Sequence, residues 1–129
     1  MPKYTSPEVV VQRQLDAYNA RDLEAWLSTF ADDAKQFLLE GELLAQGHSE
    51  IRDRARSRFS ELNLQATLIR RMVMGNIVID HEDVTRTFQE GPGRIEFICI
   101  YRVEDGKIQS GTYSIGPQIL FPNVLPGAA

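Results

Sequence analysis

Apolar residues recur at helical spacing in three segments of the first half of the chain, which predicts three amphipathic helices. The first helix starts at Ser6-Pro7-Glu8, where a capping hydroxyl, a first-turn proline and a carboxylate favour a helix N-terminus. Asp22 is positioned to cap the second helix, and Gly47 leads into the third. The predicted buried stripes are, in chain order, Val11, Leu15 and Tyr18; Leu23, Trp26, Leu27 and Phe30; and Ile51, Ala55, Phe59 and Leu62.

The second half of the chain changes to the period of two that is typical of strands. Residues 64–74 carry apolar side chains on both parities, which predicts a strand that is covered on both faces. The longest strand-like stretch runs from Ile77 to Val103, and we interpret it as a hairpin with its turn at Gly91-Pro92-Gly93. A last strand is predicted at 107–115, and a smaller hairpin surrounds Glu40-Gly41-Glu42 earlier in the chain.

This order of elements predicts an α+β fold, in which three N-terminal helices pack in a curved antiparallel sheet. Such a sheet forms a cone-shaped roll with an open mouth, a place that ligands favour. The 129 residues are expected to form one domain, 1–129, that buries a real core without disulfides. The tail at 117–129 is apolar but irregular, and we expect it to pack over a groove of this chain or of a neighbour.

Composition and charge argue against several classes of function. The net charge of −4 disfavours a nucleic-acid partner. Cys99 is the only cysteine, so no internal disulfide can form, which suits a reducing compartment. The N-terminus has no apolar run of signal-peptide length, and no stretch reaches the length of a membrane span. We therefore expect a cytoplasmic protein with no membrane partner.

The residues from Val10 to Ala34 read VVQRQLDAYNARDLEAWLSTFADDA. This segment resembles the opening of the nuclear transport factor 2-like (NTF2-like) superfamily, in its SnoaL-like or ketosteroid-isomerase-like branch. The resemblance continues in register over nearly the whole chain, and it is carried by Gln12-Arg13, Asn19-Ala20, Asp22-Leu23, Phe30-Ala31-Asp32-Asp33-Ala34, Gly47, Ile51-Arg52, Tyr101-Arg102-Val103 and Gly106-Lys107-Ile108. It implies a cone-shaped NTF2-like or cystatin-like fold, a deep pocket between helices and sheet, and a homodimer built on the outer sheet face.

The resemblance also implies where catalytic residues would lie. Steroid isomerases of this superfamily use an aspartate base beside a carbonyl, while a tyrosine and a protonated aspartic acid hold the developing enolate oxygen. The tyrosine position falls on Gln14 and the oxyanion position on Cys99. The base position falls on or near Leu38, with Glu40 two residues away. The isomerase residues are therefore expected to be absent, and the resemblance implies a pocket that binds a small hydrophobic ligand without a cofactor.

A polar cluster, Asp80-His81-Glu82-Asp83, interrupts the apolar runs of the predicted hairpin. Side chains alternate along a strand, so the hairpin register decides which parity faces the pocket. In one register, the numbers of two residues that pair across the hairpin add up to an even number. His81 and Asp83 then line the pocket as an acid–base pair of a cofactor-independent isomerase, dehydratase or hydrolase. If the sum is odd, Asp80 and Glu82 point inward, with Arg86 as counter-ion. The structural alternative is a hydrogen-bonded His81 among solvated acids.

Eight further residues are predicted to contact the ligand, namely Gln14, Tyr18, Phe30, Leu38, Phe97, Cys99, Tyr101 and Tyr113. Cys99 is interpreted as a small buried hydrophobe, because no adjacent cation activates its thiolate. No metal site is predicted, since neighbouring strand residues point to opposite faces and at most two of the polar cluster can meet one ion. Four arginines of the third helix predict a solvated ion-pair face, with an anion site as the less favoured alternative. They are Arg52, Arg54, Arg56 and Arg58.

Overall fold

The computed structural model describes residues 5–122 and contains every helix and long strand that the periodicity predicts. The helices are α1 (Pro7–Asn19), α2 (Leu23–Leu27) and α3 (Gly47–Phe59). The strands are β1 (Phe30–Leu38), β2 (Leu43–Gln46), β3 (Gln65–Met74), β4 (Ile77–Phe88), β5 (Gly91–Glu104), β6 (Lys107–Ile115) and β7 (Ile119–Leu120).

One sheet joins the strands in the order β2-β1-β6-β5-β4-β3, and β7 pairs with the start of β5. Neighbouring strands run antiparallel, except β1 and β6, which run parallel. The predicted α+β architecture is confirmed, but the sheet is mixed rather than purely antiparallel. Helix α1 contacts β3 to β6, and α3 contacts β1 and β2, so the helices pack on one side of the sheet, called here the inner face.

Local capping signals set the first two helix starts, as predicted. The Ser6 hydroxyl and the Asp22 carboxylate each accept a hydrogen bond from a backbone N–H three residues further on, at 3.3 and 3.1 Å. Helix α2 ends after five residues. Phe30, which the sequence pattern assigned to the stripe of this helix, instead begins β1 and pairs with Ile108 of β6. Pairing between distant strands therefore overrides helical spacing at this position.

Two predictions of burial are wrong. Leu62 lies beyond the end of α3 and is 87% exposed. Strand β3 is an edge strand, and Ala66 is its one buried residue. Its exposed apolar residues are Ile69, Met72, Val73 and Met74. Apolar residues on both parities thus do not correspond to two covered faces, because most of β3 is left uncovered by the helices of the same chain.

The turn between β4 and β5 lies at Gln89-Glu90, two residues before the predicted Gly91-Pro92-Gly93 turn. A two-residue turn pairs Phe88 with Gly91, so every paired position of the hairpin has an odd sum. Gly93 lies outside this turn and contacts β7 instead. A Cβ atom at this position would lie 2.4 Å from the carbonyl oxygen of Ile119, so only glycine allows β7 to approach β5 this closely.

The tail is more regular than predicted. Ile119 and Leu120 form the short strand β7, which pairs with Gly93 and Arg94, and Phe121 N donates a hydrogen bond to the Pro92 carbonyl at 3.0 Å. This part of the tail therefore packs against the same chain, as a strand rather than as an irregular segment. The remainder of the predicted tail, residues 123–129, lies outside the described residues.

The odd register separates an inner from an outer set of side chains on the central hairpin. The inner set is buried and comprises Val78, Asp80, Glu82 and Val84 of β4 with Ile95, Phe97, Cys99, Tyr101 and Val103 of β5. The residues between them face outward and are half-buried or exposed. Two carboxylates thus lie among the apolar residues of the inner face, where burying a charge is costly unless it is paired.

Candidate functional site

A cavity opens between the three helices and the inner face of β4, β5 and β6. The empty space between these elements is about 610 Å³, a volume that includes the solvent at its open mouth. Its lining residues are Gln14, Leu15 and Tyr18 of α1, Trp26 of α2, Arg54, Ala55, Arg58 and Phe59 of α3, Glu82 and Val84 of β4, Phe97, Cys99 and Tyr101 of β5, and Tyr113 of β6.

Aromatic rings form much of the cavity wall. Phe59 packs edge-on against Tyr18, with ring centroids 5.3 Å apart, and in a tilted arrangement against Trp26 at 5.2 Å. On the sheet side, Tyr101 and Tyr113 form a second edge-on pair at 6.2 Å. Such contacts fix the rings against one another, so the wall offers a rigid apolar surface.

Glu82 is the acidic residue of this lining. It lies opposite Phe97 in the β4–β5 ladder and is only 7% exposed. Its Oε2 atom is buried and has no hydrogen-bond partner among residues 5–122. Burial, with a further contribution from the negative charge of Asp80, raises the pKa of Glu82 to about 7, although the Arg71 cation opposes this shift. Near neutral pH this carboxyl can therefore both accept and donate a proton.

Asp80, two residues earlier on the same face, is held quite differently. Its two carboxylate oxygens accept hydrogen bonds from Nε and one terminal nitrogen of Arg71, at 2.7 and 2.9 Å. Arg71 also donates to Gln12 Oε1 at 2.9 Å. The hydrogen bond with Asp80 raises the pKa of Arg71. The inward counter-ion is therefore Arg71, and the prediction of Arg86 is wrong, because Arg86 pairs with Glu61 at 2.6 Å.

Hydroxyl and thiol groups in the cavity remain protonated at neutral pH. Burial raises the pKa of Tyr18 to about 12 and raises those of Cys99, Tyr101 and Tyr113 as well. Tyr113 Oη accepts a hydrogen bond from Gln36 Nε2 at 3.1 Å, so its own proton is available to a ligand. These groups act as neutral hydrogen-bond donors rather than as nucleophiles.

Two of the four arginines of α3 point into the cavity. Arg54 and Arg58, one helical turn apart, belong to its lining. Arg52 and Arg56 instead form ion pairs on the protein surface, with Glu24 at 2.9 Å and with a neighbouring aspartate at 3.7 Å. The prediction of one solvated ion-pair face is thus correct for half of the set and wrong for Arg54 and Arg58.

The sequence model of the SnoaL-like domain family matches residues 11–111. The chain belongs to this family. This match confirms the prediction, made from the resemblance, that the chain belongs to the NTF2-like, ketosteroid-isomerase-like superfamily. A comparison with curated proteins finds no match to this chain.

Solved structures agree with this SnoaL-like assignment at the level of the fold. A cystatin-fold protein from Novosphingobium aromaticivorans is 22% identical, with a TM-score of 0.77 over 86% of this chain and 99% of that one. A protein with a ketosteroid isomerase-like fold from Catenulispora acidiphila, solved in complex with trimethylamine, is 18% identical, with a TM-score of 0.67 over 85% and 86%. A computationally designed 17-OHP binder is 17% identical, with a TM-score of 0.71 over 88% and 100%.

In this SnoaL-like domain, the predicted acid–base pair does not face the cavity. His81 and Asp83 lie on the outer face of the sheet, where His81 Nε2 is 2.7 Å from Glu96 Oε1 and Asp83 accepts a hydrogen bond from Arg94 at 3.0 Å. Their inward placement required an even register, which the two-residue turn excludes. The odd alternative describes the chain, so Asp80 and Glu82 point inward.

Six of the eight predicted ligand residues line the cavity, namely Gln14, Tyr18, Phe97, Cys99, Tyr101 and Tyr113. Phe30 lies behind Trp26, with ring centroids 4.8 Å apart, and is 1% exposed. Leu38 ends β1, away from the lining. Whether the six bind a ligand stays a prediction. Sequence reasoning missed Leu15, Trp26, Ala55, Phe59 and Val84 because it assigned them to the closed core or left them unassigned.

Two further observations concern the part of the chain from Thr5 to Pro122. No three His, Cys, Asp or Glu side chains within it come together as a metal site would require. None of its helices has the length and apolar character needed to cross a membrane.

Proposed function

We propose that this SnoaL-like protein binds a small, mainly apolar organic molecule in the cavity between its helices and its sheet. The observation that carries this proposal is the unpartnered Oε2 atom of Glu82, buried in a cavity with aromatic walls. A mainly apolar lining with a few converging polar groups is typical of small-molecule sites. The bound molecule is expected to combine an apolar body with a hydrogen-bonding group that meets Glu82.

The energetics favour an occupant with a polar group. A buried polar atom that lacks a partner costs on the order of 1–3 kcal/mol. A ligand N–H or O–H that donates to Glu82 Oε2, or a ligand oxygen that accepts from the protonated carboxyl group, removes this cost, and the Tyr113 hydroxyl can donate to a ligand oxygen. A ligand would thus supply a hydrogen bond to Glu82 that no protein group of residues 5–122 supplies.

One protein of the same fold is described as a small-molecule binder. The protein described as a computationally designed 17-OHP binder shares the fold, with a TM-score of 0.71. The sequence identity of 17% extends the likeness to the fold alone. We therefore include 17-OHP as one compound in a first ligand screen.

A neutral fluorescent probe tests this proposal. N-phenyl-1-naphthylamine has an apolar body and one N–H donor, and its emission rises when it leaves water. We expect saturable binding to the wild-type protein. Ala55 lines the cavity and is 8% exposed, so Ala55→Trp is expected to fill it and weaken probe binding by about tenfold or more. Ala25 of α2 is exposed, and Ala25→Trp serves as the matched control.

The two tryptophan variants separate the cavity from the protein surface. Equal loss of probe binding in both variants, or full binding in Ala55→Trp while circular dichroism shows a folded chain, contradicts the proposal. Competition by a series of steroids and smaller ketones then ranks these compounds by the concentration at which each displaces the probe.

A second candidate function is acid–base catalysis by Glu82, and its pKa of about 7 favours this function. The ionised carboxylate would remove a proton from the carbon between the carbonyl and the double bond of a β,γ-unsaturated ketone. The C–H electron pair would form an enolate, whose oxygen the Tyr113 hydroxyl is available to hold. The protonated Glu82 would then return the proton to the γ-carbon, giving the conjugated ketone.

Conversion of 3-cyclohexenone into its conjugated isomer, followed by ultraviolet absorbance, tests this candidate. We expect Glu82→Gln to abolish any rate above buffer. Glu42→Gln, at an exposed position, is the control and is expected to retain it. Buffer-level rates in the wild-type protein over a panel of such ketones favour the binding function without catalysis.

We also propose a homodimer through the outer sheet face, as the family resemblance implies. A row of apolar residues across β3, β4 and β5 supports it, since Met72, Ile79 and Ile100 are consecutive cross-strand neighbours. Ile98, two residues before Ile100 on the same face of β5, lies beside this row and is 36% exposed. Light scattering at micromolar concentration is expected to give the mass of a dimer. Ile98→Lys should then give a monomer, whereas Leu62→Lys, at an exposed position outside the sheet, should not.

Two further expectations from the sequence stay proposals, namely a cytoplasmic location and a function without a cofactor. Cell fractionation tests the first. An absorbance spectrum and metal analysis of the purified protein test the second, and a stoichiometric chromophore or metal contradicts it.

A further inference from the structure

The two arginines that enter the cavity are both partly buried. Arg54 and Arg58 lie one turn apart on α3, and both belong to the lining. Burial lowers the pKa of Arg54, and the positive charge of Arg58 lowers it further, while Tyr113 raises it. Two like charges therefore share a poorly solvated wall of the cavity, which is unfavourable unless an anion joins them.

Neither guanidinium is neutralised by the protein between Thr5 and Pro122. No carboxylate of this part of the chain lies within 4.0 Å of either group. Arg54 donates to the neutral amide oxygen of Gln36 at 3.0 Å and lies 6.0 Å from the ring centroid of Tyr113. The Nε atom of Arg58 is buried and has no hydrogen-bond partner within the same residues.

The acidic groups nearest to the cavity are engaged elsewhere. Asp80 is neutralised by Arg71, and Glu61 is neutralised by Arg86. Glu82 is the acid of the lining, and burial raises its pKa to about 7, so two guanidinium groups face a single carboxyl group whose neutral form is favoured by burial. The cavity therefore carries an excess of positive charge, although the protein as a whole has a net charge of −4.

We infer that the cavity selects organic carboxylates, with Arg54 and Arg58 binding the carboxylate and the aromatic walls enclosing the apolar body. The inference rests on the ligand binding proposed above and names the chemical class of the ligand. Arginine presents planar N–H groups that match a carboxylate in bidentate fashion, which makes the pairing directional as well as electrostatic. Gln36 orients this arrangement, because its amide bridges Arg54 and the Tyr113 hydroxyl.

Two compounds of the same size test the inference. Naphthalene-2-carboxylate and naphthalene-2-carboxamide share one ring system and differ in charge. Each competes with N-phenyl-1-naphthylamine for the wild-type protein at neutral pH. We expect the carboxylate to displace the probe at a concentration about tenfold lower than the carboxamide. Added salt should weaken the binding of the carboxylate and leave the binding of the carboxamide unchanged.

Substitutions on α3 then locate the preference. Arg54→Gln and Arg58→Gln are each expected to reduce the carboxylate preference to about twofold or less. Arg56→Gln, on the exposed side of the same helix, is expected to keep it. The salt response of the wild-type protein tests the inference even where a variant fails to fold.

The outcomes separate this inference from the binding function. Probe binding with equal competition by the two compounds, or a preference that survives both cavity substitutions, overturns the carboxylate inference and leaves ligand binding intact. Failure of the probe and of both compounds to bind, by fluorescence and by calorimetry, overturns the two together.

Discussion

The side chain of Asn19 makes two hydrogen bonds with the backbone of a single residue, Ala66. Its Nδ2 donates to the Ala66 carbonyl at 2.9 Å, and its Oδ1 accepts from the Ala66 amide at 2.8 Å. Asn19 is the last residue of α1, and Ala66 lies near the start of β3. The amide thus acts as a substitute strand neighbour for β3 and fixes the end of the helix to the edge of the sheet.

Asn19→Ala is expected to lower the free energy of unfolding by about 1–3 kcal/mol, because it leaves two partly buried backbone groups without partners. Urea denaturation measures the change. Asn76→Ala removes one exposed hydrogen bond to Glu104, and its cost should stay within about 0.5 kcal/mol. Equal effects of the two substitutions contradict a special role of Asn19.

The ion pair of Asp80 and Arg71 gives a second prediction. Asp80 is 0% exposed, so Asp80→Asn leaves a buried guanidinium without its counter-charge. A loss of about 3–5 kcal/mol in the free energy of unfolding is expected. The double variant Asp80→Leu with Arg71→Met should recover most of this loss, because no charge then remains to be paired. A double variant as unstable as Asp80→Asn would indicate a packing defect instead.

The helical part of this fold was predictable because its signals are local. Ser6 and Asp22 cap their helices within three residues, and the stripe of α3 at Ile51, Ala55 and Phe59 is buried as the spacing indicates. The error at Phe30 arose where a strand partner from the far end of the chain, Ile108, decides the conformation.

The site was less predictable because it depends on one residue of register. The sequence contains both pairs, His81 with Asp83 and Asp80 with Glu82, and alternation alone does not choose between them. The choice depends on the turn at Gln89-Glu90. Gly93, which looks like part of a turn in the sequence, is instead required by the close approach of β7. The turn was therefore predicted at the wrong position, because a glycine required by the packing of the tail resembles a turn glycine in the local sequence.

The register makes a prediction for ligand binding. His81 faces outward and contacts Glu96, whereas Phe97, the residue after Glu96 on β5, lines the cavity. His81→Ala is expected to leave the dissociation constant of N-phenyl-1-naphthylamine within about twofold of wild type, and Phe97→Ala should raise it about tenfold. A larger effect of His81→Ala than of Phe97→Ala, with both variants folded, would mean that the outer face binds the probe.

The raised pKa of Glu82 predicts how stability changes with pH. Its carboxyl has a pKa of about 7 in the folded protein, against an ordinary value of 4.5. Between these values the folded state binds more protons at this group than the unfolded state, so the free energy of unfolding falls as pH rises. The contribution of Glu82 is fully favourable below about pH 4.5 and is lost through about pH 7, a change of about 3 kcal/mol.

Glu82→Gln isolates this contribution, because glutamine keeps the shape of the side chain and does not titrate. Urea denaturation of both proteins at about pH 5 and about pH 8 is the measurement. Relative to the wild type, the variant is expected to gain about 2–3 kcal/mol of stability between the lower and the higher pH. The neighbouring charges of Asp80 and Arg71 are common to both proteins and cancel in the difference. A pH-independent difference between the two would show that Glu82 titrates at its ordinary value.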